Sequence, residues 1–200
     1  MDTFDNLAQF IAFTHAVQQV RRAMLVVGED RFENDAEHCF QVAMAALYII
    51  ETNHLELDAF RVMSLALVHD VIEVHAGDTP VYGSAEGLAT KAEREAAAVE
   101  QLKADWPQLT LLHELIEECE AKVTPESKFV YALDKLVPIF NNYLDKGRSW
   151  HRKGVALDHL IAVKAGKIDR DPTIKQYYEQ VLVFLREHPE FFATSENRGA

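Results

Sequence analysis

A histidine, an aspartate and a glutamate occur within five residues at the end of a strongly apolar segment. The segment reads LALVHDVIEVHAGDTP, residues 65–80, and places Glu73 one helical turn after the adjacent pair His69 and Asp70. On a helix, neighbouring side chains leave the axis about 100° apart, and residues three or four positions apart share a face. These side chains can therefore converge on one object. Because an ionised carboxylate in apolar surroundings is costly, we expect a hydrogen bond, a counter-charge or a metal beside it.

Two further polar residues lie in segments that read as interior. His38 stands at the start of a predicted helix, and Asp134 interrupts the apolar run VYALDKLVPI. Two neutral imidazoles and two carboxylates form a ligand set that suits Mn, Fe, Co, Ni or Zn better than Ca or Mg. Such an ion lowers the pKa of a coordinated water, which supplies a nucleophile for hydrolysis near neutral pH. The residues therefore suggest a divalent transition-metal centre.

Each of these residues also has an ordinary structural interpretation. A single interior histidine is more often a hydrogen-bonded core residue than a metal ligand. Asp134 could pair with Lys135, Glu73 could be a solvated helix end, and Asp78 is a common turn residue before a proline. Taken one at a time, none of them establishes a site.

The order of the residues resembles the HD-domain superfamily of metal-dependent phosphohydrolases. The pattern is a histidine, then HDxxExxxGD, then a late aspartate. Three segments extend the likeness: NDAEHCFQVAMAALYI, LALVHDVIEVHAGDTP and EAKVTPESKFVYALDKLVPIFNNYL. They are similar to the branch that includes the bacterial 5′-deoxynucleotidases and related small HD hydrolases, over residues 12–150.

The resemblance implies a role for each residue of the pattern. In that family the metal is held by the first histidine, the HD pair and the late aspartate, which here are His38, His69, Asp70 and Asp134. The glutamate after the pair assists proton transfer, so the catalytic candidates are Glu73 and, beyond it, Asp78. The residues that match the part of the family facing the substrate phosphate are Asp78, Thr79, Pro80 and Val81.

The chain differs from these relatives before the first histidine. The deoxynucleotidases that it resembles carry an Arg-Trp pair there, and the tryptophan packs on the sugar and helps to exclude a ribose 2′-hydroxyl. The matching residues here are Arg22 and Ala23. Arg22 remains a candidate phosphate ligand because its planar fork suits phosphate oxygens, with Lys128 and Lys135 as further cations. Without the ring, we expect only weak selectivity for deoxynucleotides.

The segments that must hold these residues are predicted to be helical. Glycine and proline are few, 8 and 6 respectively, and apolar residues recur at helical spacing between them. The predicted fold is an all-α, compact single-domain helical bundle of the HD-domain type over residues 1–200, with a core at 12–150. We predict helices over residues 5–24, 36–51, 57–74, 91–104, 109–122, 125–144 and 171–187, with Asp35 as the N-cap of the second.

Composition and charge limit the classes of partner. The formal net charge of −12 argues against nucleic-acid polymers and anionic membrane surfaces, and a small anionic substrate would need local cations or a metal. The two cysteines, Cys39 and Cys119, form no CxxC pattern, so neither a disulfide framework nor a thiolate zinc site is indicated. With neither a signal-like start nor a membrane-length apolar run, we expect a cytoplasmic location.

The function that these observations favour is a metal-dependent phosphomonoesterase that acts on a nucleoside 5′-monophosphate. A phosphodiesterase or a nucleoside triphosphate hydrolase would use the same chemistry. The alternative from another class is a helical interaction protein with a structural metal, but a structural site is normally closed and needs no acid or base beside it. Glu73 and Asp78 therefore favour the enzyme. We also expect a homodimer, because the last helix carries the aromatic residues Tyr177, Tyr178 and Phe184.

Overall fold

The computed structural model describes residues 3–79, 82 and 85–193, and most of them are helical. The elements in chain order are α1 (Thr3–Val17), β1 (Arg21–Leu25), β2 (Phe32–Asn34), α2 (Asp35–Asn53), α3 (Ala59–Val68), α4 (Glu73–Ala76), α5 (Ala85–Ala89), α6 (Lys91–Asp105), α7 (Thr110–Ala121), α8 (Pro125–Leu144), α9 (Arg148–Arg152), α10 (Leu157–Ile168), α11 (Pro172–Glu187) and a short 3₁₀ helix (Pro189–Phe191). The all-α prediction is confirmed, and strands β1 and β2 are a small addition to it.

The first helix is shorter than predicted because the chain forms a β-hairpin before the second helix. β1 pairs antiparallel with β2, with Arg21 opposite Asn34 and Leu25 opposite Phe32. The apolar spacing that suggested a helix as far as residue 24 belongs instead to a strand whose last residue, Leu25, is buried. Strand pairing therefore overrides the helical pattern, and it places Arg22 beside the start of α2.

The third predicted helix is interrupted at the residues that matter most for chemistry. α3 ends at Val68, and α4 begins at Glu73. Between them the Glu73 N–H donates to the carbonyl oxygen of Asp70, with an N···O distance of 2.9 Å. Hydrogen bonds between residues three positions apart belong to 3₁₀-type turns, which are tighter than an α-helix. The prediction of one continuous helix over residues 57–74 is therefore wrong at residues 69–72, near its C-terminal end.

The N-cap of α2 is Asn34, and the prediction of Asp35 at that position is wrong. The Asn34 side-chain oxygen accepts a hydrogen bond from the Glu37 N–H at 3.0 Å, and the Glu37 carboxylate accepts one from the Asn34 N–H at 3.0 Å. This reciprocal pair is a capping box. Because Asn34 satisfies the helix end, Asp35 is free to turn inward, where it is completely buried.

The C-terminal third of the chain contains two helices that the sequence analysis did not assign. α8 has the predicted bounds, residues 125–144, and Thr124 caps it. α9 and α10 follow, and they fill the space beside α8 and α11. Trp150 of α9 stacks on Phe192 with ring centroids 4.6 Å apart, and Leu160 and Ile168 of α10 are fully buried. These helices complete the core on the side of α8 that carries Asp134.

The buried apolar residues form two clusters. The larger one joins α2, α3, α8, α10 and α11, and the side chains at its centre include Val42, Leu65, Phe129, Leu133 and Leu136. The smaller one joins α1, α4, α6 and α7 around Trp106, whose ring meets Phe10 edge to face at 5.3 Å. The end of α3 lies where the two clusters meet, since Val68 packs against both.

Candidate metal centre

Three helices of the larger cluster bring four polar side chains together. His38 comes from the first turns of α2, His69 and Asp70 from the end of α3, and Asp134 from the middle of α8. One ligand atom from each of the four lies within 4.8 Å of the other three. Pro138, four residues after Asp134, has no N–H and so leaves the Asp134 carbonyl without its usual helical donor. The packing of the apolar faces of α2, α3 and α8 brings four residues that are distant in the sequence into one compact donor set.

The donor atoms are close enough to share one ion. His38 Nε2 lies 3.0 Å from an Asp134 carboxylate oxygen and 3.8 Å from an Asp70 carboxylate oxygen. His69 Nε2 lies 3.3 Å from that same Asp70 oxygen and 3.9 Å from the Asp134 oxygen. The structure thus brings all four predicted ligands together, and their role as metal ligands stays a prediction.

The hydrogen bond of His69 fixes which of its nitrogens carries a proton. Nδ1 lies 2.8 Å from the carbonyl oxygen of Ala66, and because a carbonyl oxygen can only accept, Nδ1 must donate. Nε2 is buried and has no hydrogen-bond partner in the part of the chain that the structure describes. Metal-binding histidines commonly donate from one nitrogen to a carbonyl and bind the ion with the other. A divalent ion fits this orphaned nitrogen.

Burial and neighbouring charges shift the pKa values of the four donors in different directions. Burial lowers the pKa of His38 to about 4, so its imidazole is neutral. Burial opposes a charge on His69, but Asp70 and Cys39 together outweigh it and hold the pKa of His69 well above its usual range. Burial opposes the charges of Asp70 and Asp134 too, but neighbouring cations and hydrogen bonds outweigh it, and both pKa values lie below their usual range. His69 and Arg22 act on Asp70, and Lys135 and the two histidines act on Asp134. In the metal-free protein His69 therefore carries a second proton, on Nε2, and supplies the positive charge that a metal ion would otherwise bring.

Glu73 lies beside the four donors and is not a solvated helix end. It is 7% exposed, and its Oε2 has no hydrogen-bond partner among the described residues. Carboxylate oxygens of Glu73, Asp35 and Asp70 lie within 4.8 Å of one another. Burial, followed by the charge on Asp70, raises the pKa of Glu73 to about 10. At neutral pH the metal-free protein therefore holds a proton on Glu73 next to the donor set.

Arg22 contacts the carboxylates of the site rather than open solvent. Its Nε donates to Glu33 at 3.0 Å, and its Nη1 donates to Asp35 at 3.2 Å and to Asp70 at 2.6 Å. Burial opposes its charge, but Asp70 and other carboxylates hold the pKa of the guanidinium well above its usual value. Nη2 donates to no acceptor in the described part of the chain. Arg22 therefore anchors the hairpin to the site and keeps one nitrogen for another ligand.

The residues predicted to face the phosphate are only partly described. Asp78 lines the same cavity as the donor set, and burial raises its pKa, although Arg22 opposes that effect. The Thr79 hydroxyl accepts a hydrogen bond from Arg94 at 2.6 Å, which fixes it from the side of α6. Pro80 and Val81 lie outside the described residues.

Sequence reasoning missed two buried carboxylates of the site. Glu33 lies 3.6 Å from His38 Nδ1, and burial raises its pKa to about 7. Asp35 has one carboxylate oxygen without a hydrogen-bond partner in the described ranges, and burial raises its pKa to about 7 as well. The spacing from Asp35 to His38 puts both on one helix face, and that signal could have indicated Asp35.

A cavity of about 370 Å³ opens from the donor set. Its lining includes His69, Asp70, Glu73 and Asp134, together with Arg22 and Ala23. A small-molecule site typically has a volume of this order and a few convergent polar groups. The candidate metal centre is thus open to a ligand, unlike a closed structural site.

Comparison with known proteins gives consistent results. The model of the HD domain family matches residues 15–175. The chain is 33% identical to the 5′-deoxynucleotidase HDDC2 of Bos taurus over 133 residues, which are 65% of this chain and 63% of that protein. It is 26% identical to the 5′-deoxynucleotidase hdd1 of Schizosaccharomyces pombe over 184 residues, which are 87% of this chain and 85% of that protein. The match therefore spans less than two thirds of the bovine relative.

Solved structures show the same arrangement of helices. A protein of Magnetospirillum magnetotacticum, described as a predicted metal-dependent phosphohydrolase, superposes with a TM-score of 0.78 at 28% identity and covers 94% of this chain and 96% of its own. An HD-domain phosphohydrolase of Listeria innocua superposes with a TM-score of 0.65 at 16% identity and covers 92% of each chain. The second likeness concerns the fold alone.

Proposed function

The chain belongs to the HD domain family, and from this premise we propose that it is a metal-dependent phosphohydrolase, most specifically a phosphomonoesterase for nucleoside 5′-monophosphates. The observation that carries the proposal is the set of four donors, His38, His69, Asp70 and Asp134, of which the last three line an open cavity. The similarity to 5′-deoxynucleotidases of cattle and fission yeast supports the choice of substrate.

The four donors would hold a divalent transition ion, with Mn, Fe, Co, Ni or Zn as the candidates. Such an ion lowers the pKa of water and offsets charge on phosphoryl oxygens. Asp70 and Asp134 supply negative charge, and His38 is already in the neutral form that binding requires. Because His69 Nδ1 donates to the Ala66 carbonyl, Nε2 keeps its orientation toward the donor set and would bind the ion once its proton is released.

Glu73 and Asp78 would handle the proton and the substrate phosphate. A divalent charge beside Glu73 lowers the pKa that burial has raised, so its carboxylate can take a proton from the attacking water. The same group can then pass that proton to the departing ester oxygen. Asp78, with its raised pKa, lies in the same cavity and is placed to accept or donate a hydrogen bond there.

Arg22 and Ala23 would set the contacts with phosphate and sugar. Arg22 Nη2 is the guanidinium nitrogen without a partner in the described chain, and a phosphate oxygen suits it. Ala23 lines the cavity beside it with only a methyl group. An open pocket rejects an added hydroxyl weakly, by about 1 to 3 kcal/mol. We therefore propose that both ribonucleotides and deoxynucleotides are substrates.

The competing functions make different demands on the site. A structural metal would need neither the cavity nor a buried acid such as Glu73 beside the ion. A phosphodiesterase or a nucleoside triphosphate hydrolase would use the same donors. Only a comparison of phosphate release from different substrates distinguishes them from a monoesterase.

The assembly and the location of the protein are separate proposals. Phe184 on α11 is 51% exposed and could enter a homodimer contact, whereas Tyr178 is buried in the protomer's own core. No described helix has both the length and the apolar character to cross a membrane. The cytoplasmic location stays a prediction.

A direct test removes the metal, reloads the protein with Mn, Fe, Co, Ni, Zn or Mg, and measures phosphate release. The panel should contain ribo- and deoxynucleoside 5′-monophosphates, a nucleoside triphosphate, a cyclic nucleotide and sugar phosphates. We expect the 5′-monophosphates to be cleaved fastest, and only with a transition ion. Faster release from the triphosphate or the cyclic nucleotide would overturn the monoesterase, and no release with any ion would overturn the enzyme.

A further inference from the structure

Several lysine side chains line the cavity. They are Lys91, Lys122, Lys135, Lys153, Lys164 and Lys167. Three of them have carboxylate partners: Lys91 pairs with Glu95 at 3.0 Å, Lys122 with Glu120 at 3.8 Å, and Lys135 with Asp134. The other three form no ion pair within the described part of the chain. Three lysines without a carboxylate partner around one cavity are unexpected in a protein with 32 acidic and 20 basic residues.

Lys164 is the most unusual of the unpaired lysines. It lies on α10 and is only 6% exposed, and its amine makes no hydrogen bond within the described ranges. A buried ammonium without a partner is costly, so a folded protein normally provides one. The groups whose charges act on it are mostly positive: Lys135, Lys167 and Arg22, against the single carboxylate of Asp134. An anion in the cavity would supply the missing partner.

Lys153 and Lys167 line the same cavity as Lys164, and together the three unpaired lysines form its cationic wall. Lys167 follows Lys164 by three residues on the same helix, so both side chains lie on one face of α10. Lys153, just after α9, is close enough to Asp78 for that carboxylate to act on its charge. Burial lowers the pKa of both amines, and lowers that of Lys164 to about 7. The cavity therefore has an acidic end at the donor set and a cationic wall beside it.

We propose that Lys153, Lys164 and Lys167 form a second anion subsite, which binds a phosphate group of the substrate other than the one that is hydrolysed. The inference rests on the proposed function, because it identifies which nucleoside 5′-phosphates bind most tightly, namely those that carry a second phosphate. Three separate ammonium groups suit the several oxygens of a phosphate, each as a point charge with its own donors. The reacting phosphate already has Arg22 and the donor set, and so the lysines serve another group.

The test compares substrates that differ by one phosphate. A 2′-deoxynucleoside 5′-monophosphate and the matching 3′,5′-bisphosphate and 5′-diphosphate are given to the metal-loaded protein and to the variants Lys164→Met, Lys164→Arg and Lys128→Met. Lys128 is the control: the sequence suggested it as a further cation for the phosphate, but it lies on α8 outside the cavity lining. We expect Lys164→Met to raise KM at least about tenfold for one of the doubly phosphorylated substrates, with kcat retained, and to change the monophosphate by less than about threefold.

The conservative variant and the control make the outcome decisive. Lys164→Arg keeps the charge and should retain most of the affinity for the second phosphate, and Lys128→Met should behave as the unmodified protein. An equal loss for the monophosphate would mean that the lysines hold the reacting phosphate, and no loss for any substrate would mean that the wall binds none. Either result overturns the subsite.

Direct binding separates this inference from the proposed function. Calorimetry with the metal-loaded protein compares orthophosphate with pyrophosphate and needs no catalysis. Pyrophosphate binding that weakens at least about tenfold in Lys164→Met, with orthophosphate unchanged, supports the subsite even if no nucleotide is hydrolysed. If monophosphates are hydrolysed and Lys164→Met binds pyrophosphate as tightly as the unmodified protein, the proposed enzyme activity stands and the subsite is overturned.

Discussion

Arg22 Nη1 lies 2.6 Å from an Asp70 carboxylate oxygen, and this contact joins the β-hairpin to the centre of the candidate site. The same guanidinium holds Glu33 and Asp35, two buried carboxylates of the hairpin and the start of α2. One cation thus neutralises part of an acidic cluster that three separate elements contribute. The hairpin is consequently part of the site's electrostatics, and not only a connection between α1 and α2.

Replacing Arg22 should destabilise the metal-free protein more than the metal-loaded one. Arg22→Met leaves Glu33, Asp35 and Asp70 without their counter-charge, and removal of one partner from a buried ion pair costs about 3 kcal/mol or more. A bound divalent ion offsets part of that loss. Thermal or urea unfolding with and without metal measures the difference. Arg31→Met is the control. Arg31 lies on the same hairpin but pairs with the exposed carboxylates of Glu29 and Glu37, so its replacement should leave stability nearly unchanged.

Glu73 should be needed for turnover and not for metal binding. Glu73→Gln keeps the shape of the protonated side chain but cannot exchange a proton, so we expect kcat to fall by about 10²- to 10⁴-fold while metal content stays normal. Glu95→Gln, which alters a cavity residue paired with Lys91, should have little effect. Loss of metal in the Glu73 variant, or full activity, would show that the residue has another role.

The stability of the metal-free protein should depend on pH through Glu73. The unfolded chain releases this proton near pH 4.5, whereas the folded protein keeps it to about pH 10. Between these values the folded state keeps the Glu73 proton that the unfolded chain has lost, so the contribution of Glu73 to stability is fully present below pH 4.5 and declines as pH rises, by at most about 1.4 kcal/mol per pH unit. Metal-free Glu73→Gln should therefore gain stability relative to the unmodified protein from pH 5 to pH 9. A constant difference across that range would contradict the raised pKa.

Ala23 should determine how strongly the enzyme prefers deoxynucleotides. We expect kcat/KM for a 2′-deoxynucleoside 5′-monophosphate and its ribonucleotide to differ by less than about a hundredfold. Ala23→Trp should increase the preference, because a ring in the cavity leaves less room for the 2′-hydroxyl. Arg22→Ala should weaken both substrates alike, since a phosphate contact carries no information about the sugar. Strong selectivity in the unmodified protein would mean that another side chain excludes the hydroxyl.

The sequence predicted the elements whose signals are local. α8 has the predicted bounds because Thr124 caps it and Pro125 occupies its first position, both of which are readable from the chain. The polar residues within apolar runs, such as Asp134 and the pair His69 and Asp70, indicated the donor set for the same reason. A charge in an apolar helix needs a partner wherever the helix lies.

Of the features that escaped prediction, the strand depends on distant contacts, whereas the helix cap had a local signal. β1 forms because residues 32–34 pair with it, and the apolar spacing of the segment alone favoured a helix. Asp35 was assigned to the helix cap although the spacing from Asn34 to Glu37 is that of a capping box, which favours Asn34. α10 did carry a helical pattern, with Leu157, Leu160 and Ile168 on one stripe, but its glycine and charged residues obscured it. With α10 unassigned, Lys164 could not be connected with the site.

The central claim is that one divalent ion at His38, His69, Asp70 and Asp134 makes the protein a phosphohydrolase, and metal content measured together with phosphate release tests it most directly. Elemental analysis of the purified protein and of Asp70→Asn should be paired with an assay of a nucleoside 5′-monophosphate on the same samples. Asp58→Asn is the matched control, because Asp58 caps α3 away from the donor set and asparagine caps equally well. We predict about one transition ion per chain and metal-dependent phosphate release in the unmodified protein and in the control, with both lost in Asp70→Asn. An unmodified protein that binds no transition ion, or an Asp70→Asn protein that keeps both its ion and its activity, would contradict the account.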